Sequence, residues 1–430
     1  MTAPATSTAT PSRARRGGVW FPLLAFLAIA AVLYVTVQVS HDHFSSEHKP
    51  SAGDLAARDT WYSGWLQFDT TWYVYLAEHG YDAQQQDLFK SGRQSAVAYF
   101  PAYPETVRQV ARITSDDYAA AATLTTFLCG LGFALLFWRW CRDRLSPRAR
   151  RVAMLLLLLY PYAWFLYGSG YGDSFFLMVT LGAFLLLERD RPVLAGVLGF
   201  VATAARPTGT AVLLGLVAVA LERRGVLTRD AEVPVRVGAE EESTSETWLG
   251  RERAHWHFHR EKLQPKDAGV LLAVGGLACF VVFCASKFGD PFAFATVQKA
   301  PGWDQAAGLH TWLKVGFFGH LVHDSPSFSL RLLSQALLSV GFIAGAYAVL
   351  RRFGWGYALY SLAMVGIPLI GTGDFQGMGR YLLGCFPVFA VGGEWLAAPE
   401  RGRARTGTLV VSAIALVALA SLFGRAYYLT

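Results

Sequence analysis

Apolar runs punctuated by basic clusters constrain this chain more than any other feature. A helix of about 20 mostly apolar residues matches the hydrocarbon thickness of a bilayer. Runs of roughly that kind occupy residues 19–39, 117–138, 152–168, 174–188, 268–286, 330–350, 355–372, 381–397 and 406–425. Residues 193–221 are apolar as well, but Arg206 and Pro207 interrupt them, and Arg191 and Arg223 lie beside their ends. A charge next to a helix breaker predicts two short helices with Arg206 near their outer apex. The expected fold class is an all-α polytopic membrane protein with about eleven transmembrane helices.

Composition agrees: 53% of the 430 residues are hydrophobic and only 16% are charged, unlike an average soluble domain. The formal charge of +7 raises the question of nucleic acid, but the basic residues flank apolar runs and form no stripe, so topology explains them and no nucleic-acid partner is expected. With the N-terminus inside, Arg139 to Arg151, Arg189 with Arg191, the segment 222–267, Arg351 with Arg352, and Arg401 to Arg405 all face the cytoplasm. The outer connections are then the long segment 40–116, the short GSGYGD, the segment 287–329 and GTGDFQGMGR.

The basic start, with Arg13, Arg15 and Arg16, precedes an apolar run longer than a signal-peptide core and without a clear A-x-A site, which predicts a retained first span. The expected organisation is a cytoplasmic tail over 1–18 and a single membrane domain over 19–425. Within it, 222–267 is rich in charge of both signs and reads as a flexible linker. His255, His257 and His259 alternate there, a pattern expected of a solvated loop and not of a metal site. Cys129, Cys141, Cys279, Cys284 and Cys385 form no CxxC and are expected to be inert buried thiols.

No carboxylate sits centrally in any of these runs, whereas ion-coupled transporters use ionisable groups near the midplane. The acids gather instead in the outer segments or at their edges: Asp54, Asp59, Asp69, Glu78, Asp82, Asp87, Glu105, Asp173, Asp290, Asp304, Asp324 and Asp374. Any chemistry is therefore expected on the extracytoplasmic face of the cell membrane, among lipid partners.

The first outer segment contains FDTTWYVYLAEHGY, Phe68 to Tyr81, in which Phe68, Trp72, Tyr75, Leu76 and His79 recur at helical spacing. This predicts an amphipathic interfacial helix with aromatic anchors, stopped by Gly80. Asp69 falls at its N-terminus, where it suits an N-cap and where the dipole favours the carboxylate. A carboxylate so placed also suits a general base. YFPAYP follows, with Tyr99, Phe100, Pro101, Tyr103 and Pro104, and reads as a rigid interfacial turn.

With these residues in view the chain resembles the PIG-V-like mannosyltransferases, of the larger GT-C class of polytopic glycosyltransferases. FDTTWYVYLAEHGY and YFPAYP are similar to that family's first-loop WD-aromatic-IAxxGY and FFPLYP-like segments. Further along, GSGYGDSFF (Gly168 to Phe176), ATAARPTG (Ala202 to Gly209), GDPFAFATVQKAPGW (Gly289 to Trp303) and GMGRYLLGCFPVF (Gly377 to Phe389) resemble later family blocks in the same order. Phe68 stands where the family usually has Trp, and Asp173 where Glu is usual.

The resemblance implies a glycosyltransferase that moves a hexose, mannose in the family, from a polyprenyl-phosphate sugar to a hydroxyl of a glycan, glycolipid or glycoprotein acceptor. It also implies an outward-facing site with the polyprenyl-phosphate sugar as donor substrate; no cofactor is assigned, and a divalent metal is an open alternative that no residue set in the sequence supports. A phosphate carrier needs little protonation on leaving, so a single base suffices for an inverting displacement. Asp69 is the candidate base, Arg206 and Arg380 the candidate phosphate ligands, and Asp173, Tyr171, Gln298, Trp303 and Tyr381 the candidate sugar or acceptor contacts. The alternatives are a lipid or polysaccharide transporter and a non-catalytic partner of another mannosyltransferase.

Overall fold

The structure, a computed structural model, describes residues 18–47, 54–229, 256–303, 305 and 308–429. It is mostly helical. In chain order the α-helices are α1 (Trp20–His43), α2 (Thr70–His79), α3 (Ala83–Lys90), α4 (Ala102–Ala111), α5 (Tyr118–Arg142), α6 (Pro147–Leu158), α7 (Asp173–Glu188), α8 (Pro192–Thr203) and α9 (Gly209–Arg224). They continue as α10 (Val274–Phe288), α11 (Ala293–Thr296), α12 (Leu309–Trp312), α13 (Val315–His323), α14 (Pro326–Phe353), α15 (Trp355–Gly371), α16 (Met378–Tyr381), α17 (Phe386–Leu396) and α18 (Gly402–Gly424). The strands among the described residues are β1 (Leu227–Arg229) and β2 (Trp256–Phe258), paired antiparallel.

Polar contacts at the helix ends reveal the directions of the helices. At one end of the bundle Arg144, just past α5, pairs with Glu188 at the end of α7. There too Arg224 of α9 meets Asp267 at 3.0 Å, and Arg352 of α14 meets Glu394 of α17 at 2.7 Å. Glu222 accepts from the N–H groups of Trp355 at 2.7 Å and Gly356 at 2.9 Å, supplying the cap that the first turn of α15 lacks in its own sequence. The opposite end joins α1 to α18 through Ser40 and Ser421 at 2.7 Å. It also receives the starts of α5 and α7 and the connection between α8 and α9, and it is here that the polar residues discussed below converge.

Among the described residues, five helical stretches are long and apolar enough to cross a bilayer: Trp20–His43, Tyr118–Arg142, Pro265–Phe288, Pro326–Phe353 and Pro399–Gly424. The second is 56% buried over its most apolar window and the first and last 28% and 22%, so α5 is a central helix while α1 and α18 face outward. Leu24, Val32 and Val35 of α1, Val282 of α10, Leu337 and Val340 of α14 and Val410, Val411 and Ile414 of α18 are exposed. Large aliphatic side chains lining the outside of long helices need a hydrocarbon solvent. The chain is an all-α, multi-pass membrane-type protein.

Several apolar runs fold otherwise than expected. Residues 152–168 are not one helix: α6 ends at Leu158, Pro161 follows in a turn, and Ala163–Leu166 is a separate 3-10 turn, as a proline without an N–H requires. Residues 381–397 divide at Cys385 into a 3-10 turn and α17, with Pro387 in the first turn of the latter. The segment 222–267 is structured at both margins by α9, the β1–β2 pair and a 3-10 stretch (Pro265–Ala273). Its residues 230–255, including His255, lie outside the described residues, as do the tail 1–17 and Asp304. Of the five thiols, Cys279 is exposed and the other four are buried.

Candidate active site

Four charged side chains from four separate parts of the sequence meet at one end of the bundle. Arg206, between α8 and α9, is ion-paired with Asp173 in the first turn of α7. Arg380 of α16 reaches Asp69 Oδ2 at 3.3 Å, while its Nε is 4.0 Å from Asp173 Oδ1. The side chains of Asp173 and Arg206 are 3% and 9% exposed, and those of Arg380 and Asp69 are 10% and 18% exposed. Asp69 is thus the member most open to a partner from outside. Two cations and two anions make the group formally neutral, which is what permits such burial.

Asp69 occupies the position before α2, but it does not cap the helix. Its backbone is already helical, at φ −58° and ψ −19°, and its carboxylate accepts no N–H of the first turn. Phe68, at φ 49°, supplies a left-handed residue that turns the chain so that the carboxylate points away from the helix. Oδ1 accepts from the Tyr99 hydroxyl at 2.9 Å, and the Asp69 N–H donates to the Tyr171 hydroxyl at 3.2 Å. Burial first, and then the Asp69 carboxylate, push the Tyr99 phenol well above its ordinary pKa, so it remains a donor.

The helix beyond Asp69 buries Tyr73, Val74, Leu76 and Ala77, a different face from the expected stripe. Trp72 and Tyr75 are half-buried and His79 is exposed, while Gly80 ends the helix at φ 70° as anticipated. YFPAYP is not merely a turn. Pro101 precedes α4 and Pro104 lies in its first turn, where no backbone N–H is needed. Its Tyr103 is buried, donating to the Ala122 carbonyl at 3.1 Å, and the extended residue before the prolines delivers Tyr99 to Asp69.

Asp173 is not the cap either: it is the first residue of α7, and Gly172 holds the N-cap position. Burial disfavours the Arg206 cation, and Asp173 outweighs that effect and keeps it protonated. Asp173 Oδ2 and Arg380 Nε are buried without a hydrogen-bond partner. Buried polar atoms of native proteins are normally paired, so these two atoms, of opposite sign and in one cluster, have unused hydrogen-bonding capacity.

Tyr171 is fully buried; its hydroxyl holds the Asp69 backbone and its ring lies 5.4 Å from the Arg380 guanidinium. It therefore packs behind Asp69 and Arg380. Tyr381 is half-buried, with its ring 5.2 Å from both Arg206 and Arg380. Trp303 lies 6.1 Å from Trp72 and 6.2 Å from Tyr99, ring centre to ring centre, so it joins the rim of the site. The Gln298 carbonyl accepts from the Gln305 N–H at 2.8 Å, closing the segment that carries Trp303.

Sequence patterns did not single out Tyr99 as the partner of Asp69, or Gln335 as a support. Gln335 is a buried amide of α14 that accepts from the Gly379 N–H at 3.0 Å, next to Arg380. A buried glutamine within an apolar helix was the one available signal. The three-histidine segment is described only at His257 and His259. Among the described residues no group of three His, Cys, Asp or Glu side chains is arranged to hold a metal.

No protein-family model matches the chain, and no curated protein matches it. Among solved structures it is similar to the oligosaccharyltransferase of Archaeoglobus fulgidus in a complex with zinc and sulfate, at 14% identity over 94% of this chain and 53% of that one, with a TM-score of 0.45. The apo form matches at 13% identity over 96% and 57%, with a TM-score of 0.46. The oligosaccharyltransferase AglB of the same archaeon, bound to an inhibitory peptide and a dolichol-phosphate, matches at 12% identity over 95% and 56%, with a TM-score of 0.41. The chain spans about half the length of these structures.

Proposed function

We propose that this chain is a membrane glycosyltransferase of the GT-C class that moves a hexose, most simply mannose, from a polyprenyl-phosphate carrier to an acceptor hydroxyl on the extracytoplasmic face. The observation that carries this reading is the Asp69 carboxylate, released from its helix, held by Tyr99 and Arg380, and more open than the buried ion pair behind it. A carboxylate kept as an acceptor next to guanidinium groups combines a base with anion recognition.

In the proposed reaction the acceptor oxygen attacks the anomeric carbon as its proton passes to Asp69. The bond from that carbon to the carrier phosphate breaks, the electron pair leaves with the phosphate, and the anomeric centre inverts. Arg380 is the first candidate for the phosphate, because its contact with Asp69 is single and 3.3 Å long. Arg206 is already committed to Asp173 and reaches the phosphate only with its remaining donors. Tyr381, between the two guanidinium groups, orients both.

Topology forms part of the proposal. The helices alternate in direction, and we assign eleven crossings by adding α6 with its following turn, α7, α8, α9, α15 and α17 to the five long apolar stretches, with the four-charge site outside. The donor follows from that placement, since sugar nucleotides are cytosolic. Purified protein in lipid nanodiscs should transfer radiolabel from polyprenyl-phosphate mannose to extracted membrane acceptors and should not use GDP-mannose. Turnover with the nucleotide sugar alone would overturn the assignment.

A further inference from the structure

Three partly exposed aromatic rings from three separate elements meet next to Asp69. Trp72 of α2 and Tyr99 before α4 are near-parallel, 19° apart with centres 6.0 Å from each other. Trp303, after α11, stands across both at 64° and 71°. None of the three is fully buried. The turn that carries Trp303 is fixed to the first outer segment, where Gln94 Nε2 donates to the Pro301 carbonyl at 3.1 Å. Its own N–H donates to the Ala300 carbonyl at 3.0 Å. Long-range tethering of this kind is not needed to bury a tryptophan that stays partly exposed.

Such a corner selects a ligand by chemistry. Aromatic faces are electron-rich and attract the polarised C–H face of a saturated ring, while the ring's hydroxyls point sideways to polar groups. The polar group at the edge of this corner is the Asp69 carboxylate, reached through the Tyr99 hydroxyl at 2.9 Å. A serine or threonine of a peptide would bring a hydroxyl to Asp69 without a ring for the corner. An acyl chain would fill the corner without a hydroxyl for Asp69.

We infer that the acceptor is a carbohydrate whose terminal pyranose ring lies against Trp72, Tyr99 and Trp303, with one ring hydroxyl directed at Asp69. This rests on the reading of Asp69 as the base. Saturation-transfer NMR on the full chain in nanodiscs, without donor, tests it with methyl α-D-manno-, gluco- and galactopyranosides, the corresponding disaccharides, and an acetylated Ser/Thr peptide. At least one sugar should receive saturation on its ring C–H protons. Its binding should weaken about tenfold or more in a Trp72→Ala, Trp303→Ala double variant and recover in the Trp72→Phe, Trp303→Phe pair, which separates ring loss from misfolding.

No saturation of any sugar, equal saturation in the double alanine variant, or saturation of the peptide instead would overturn the inference. So would quenching of Trp72 and Trp303 by brominated lipid with no response to sugar, which would make them membrane anchors. The two readings fail separately. Sugar binding without transfer would remove the enzyme assignment and leave the corner a carbohydrate site, whereas transfer without sugar binding would leave the enzyme and remove the carbohydrate acceptor.

Discussion

Asp173 and Arg206 illustrate how charge balance shapes the expectations for single substitutions. Truncating Arg206 takes the nearer of two cations from a carboxylate that is 3% exposed, leaving only Arg380 at 4.0 Å, and breaking a buried pair costs about 3–5 kcal/mol. Arg206→Ala should therefore lower the melting temperature and protein level as well as activity. Arg206→Lys keeps the charge but loses the two-pronged geometry, so it should fold and show weakened donor use. The neutral pair Asp173→Asn with Arg206→Gln should recover most of the stability but not the transfer. Thermal melting and donor titration of the three variants check this, and a fully active neutral pair would reduce Arg206 to a structural residue. Asp69, Arg380 and Asp173 were legible as charges near helix ends. Their mutual pairing was not, because residues 311 positions apart leave no local pattern. The capping expected of Asp69 failed for a local reason, the left-handed Phe68, which residue type does not announce.

At the scale of elements, glycines set how closely the loop before α7 approaches the first outer segment. A side chain at Gly170 would begin 2.4 Å from Thr70 Cγ2, the residue directly after the proposed base. Gly170→Ala should push Thr70 outward and reduce transfer with little loss of protein, whereas Gly92→Ala tests only backbone preference, since nothing lies within 4 Å there. A pH effect belongs to α3, whose N-terminus Asp82 caps by accepting from the Gln85 N–H at 3.0 Å and from the Tyr75 hydroxyl at 2.6 Å. Burial alone would raise its pKa, but these hydrogen bonds outweigh it and hold the carboxyl below its usual range. A depressed folded value stabilises above the unfolded pKa, and the contribution disappears as the pH falls through the folded one. Melting measured from pH 6 downward should therefore show a smaller acid loss in Asp82→Asn, and an unchanged acid slope would contradict this. Helix existence was readable from apolar period and length. The breaks at Tyr160–Tyr162 and Cys385 were not, because Pro161 and Pro387 mark a boundary without saying whether the apolar run resumes as helix.

For the whole molecule, the proposed topology predicts one orientation. Ser91, exposed in the segment proposed to face outward, and Lys262, exposed in the one proposed to face the cytoplasm, report it as single cysteines in a Cys279→Ala background that removes the exposed native thiol. An impermeant maleimide added to intact cells should label position 91 and spare position 262, and the reverse pattern would invert the map. Whether Asp69 is the base is decided by the Asp69→Asn variant. The amide can still accept from Tyr99 and removes no cap, since Asp69 supplies none; it does take the nearest negative charge from Arg380, so the variant should accumulate with a modestly lowered melting temperature. An amide cannot take the acceptor proton, so transfer from radiolabelled polyprenyl-phosphate mannose should fall by about 100-fold to 10,000-fold. Near-normal transfer by a well-expressed Asp69→Asn protein would contradict the account at its centre.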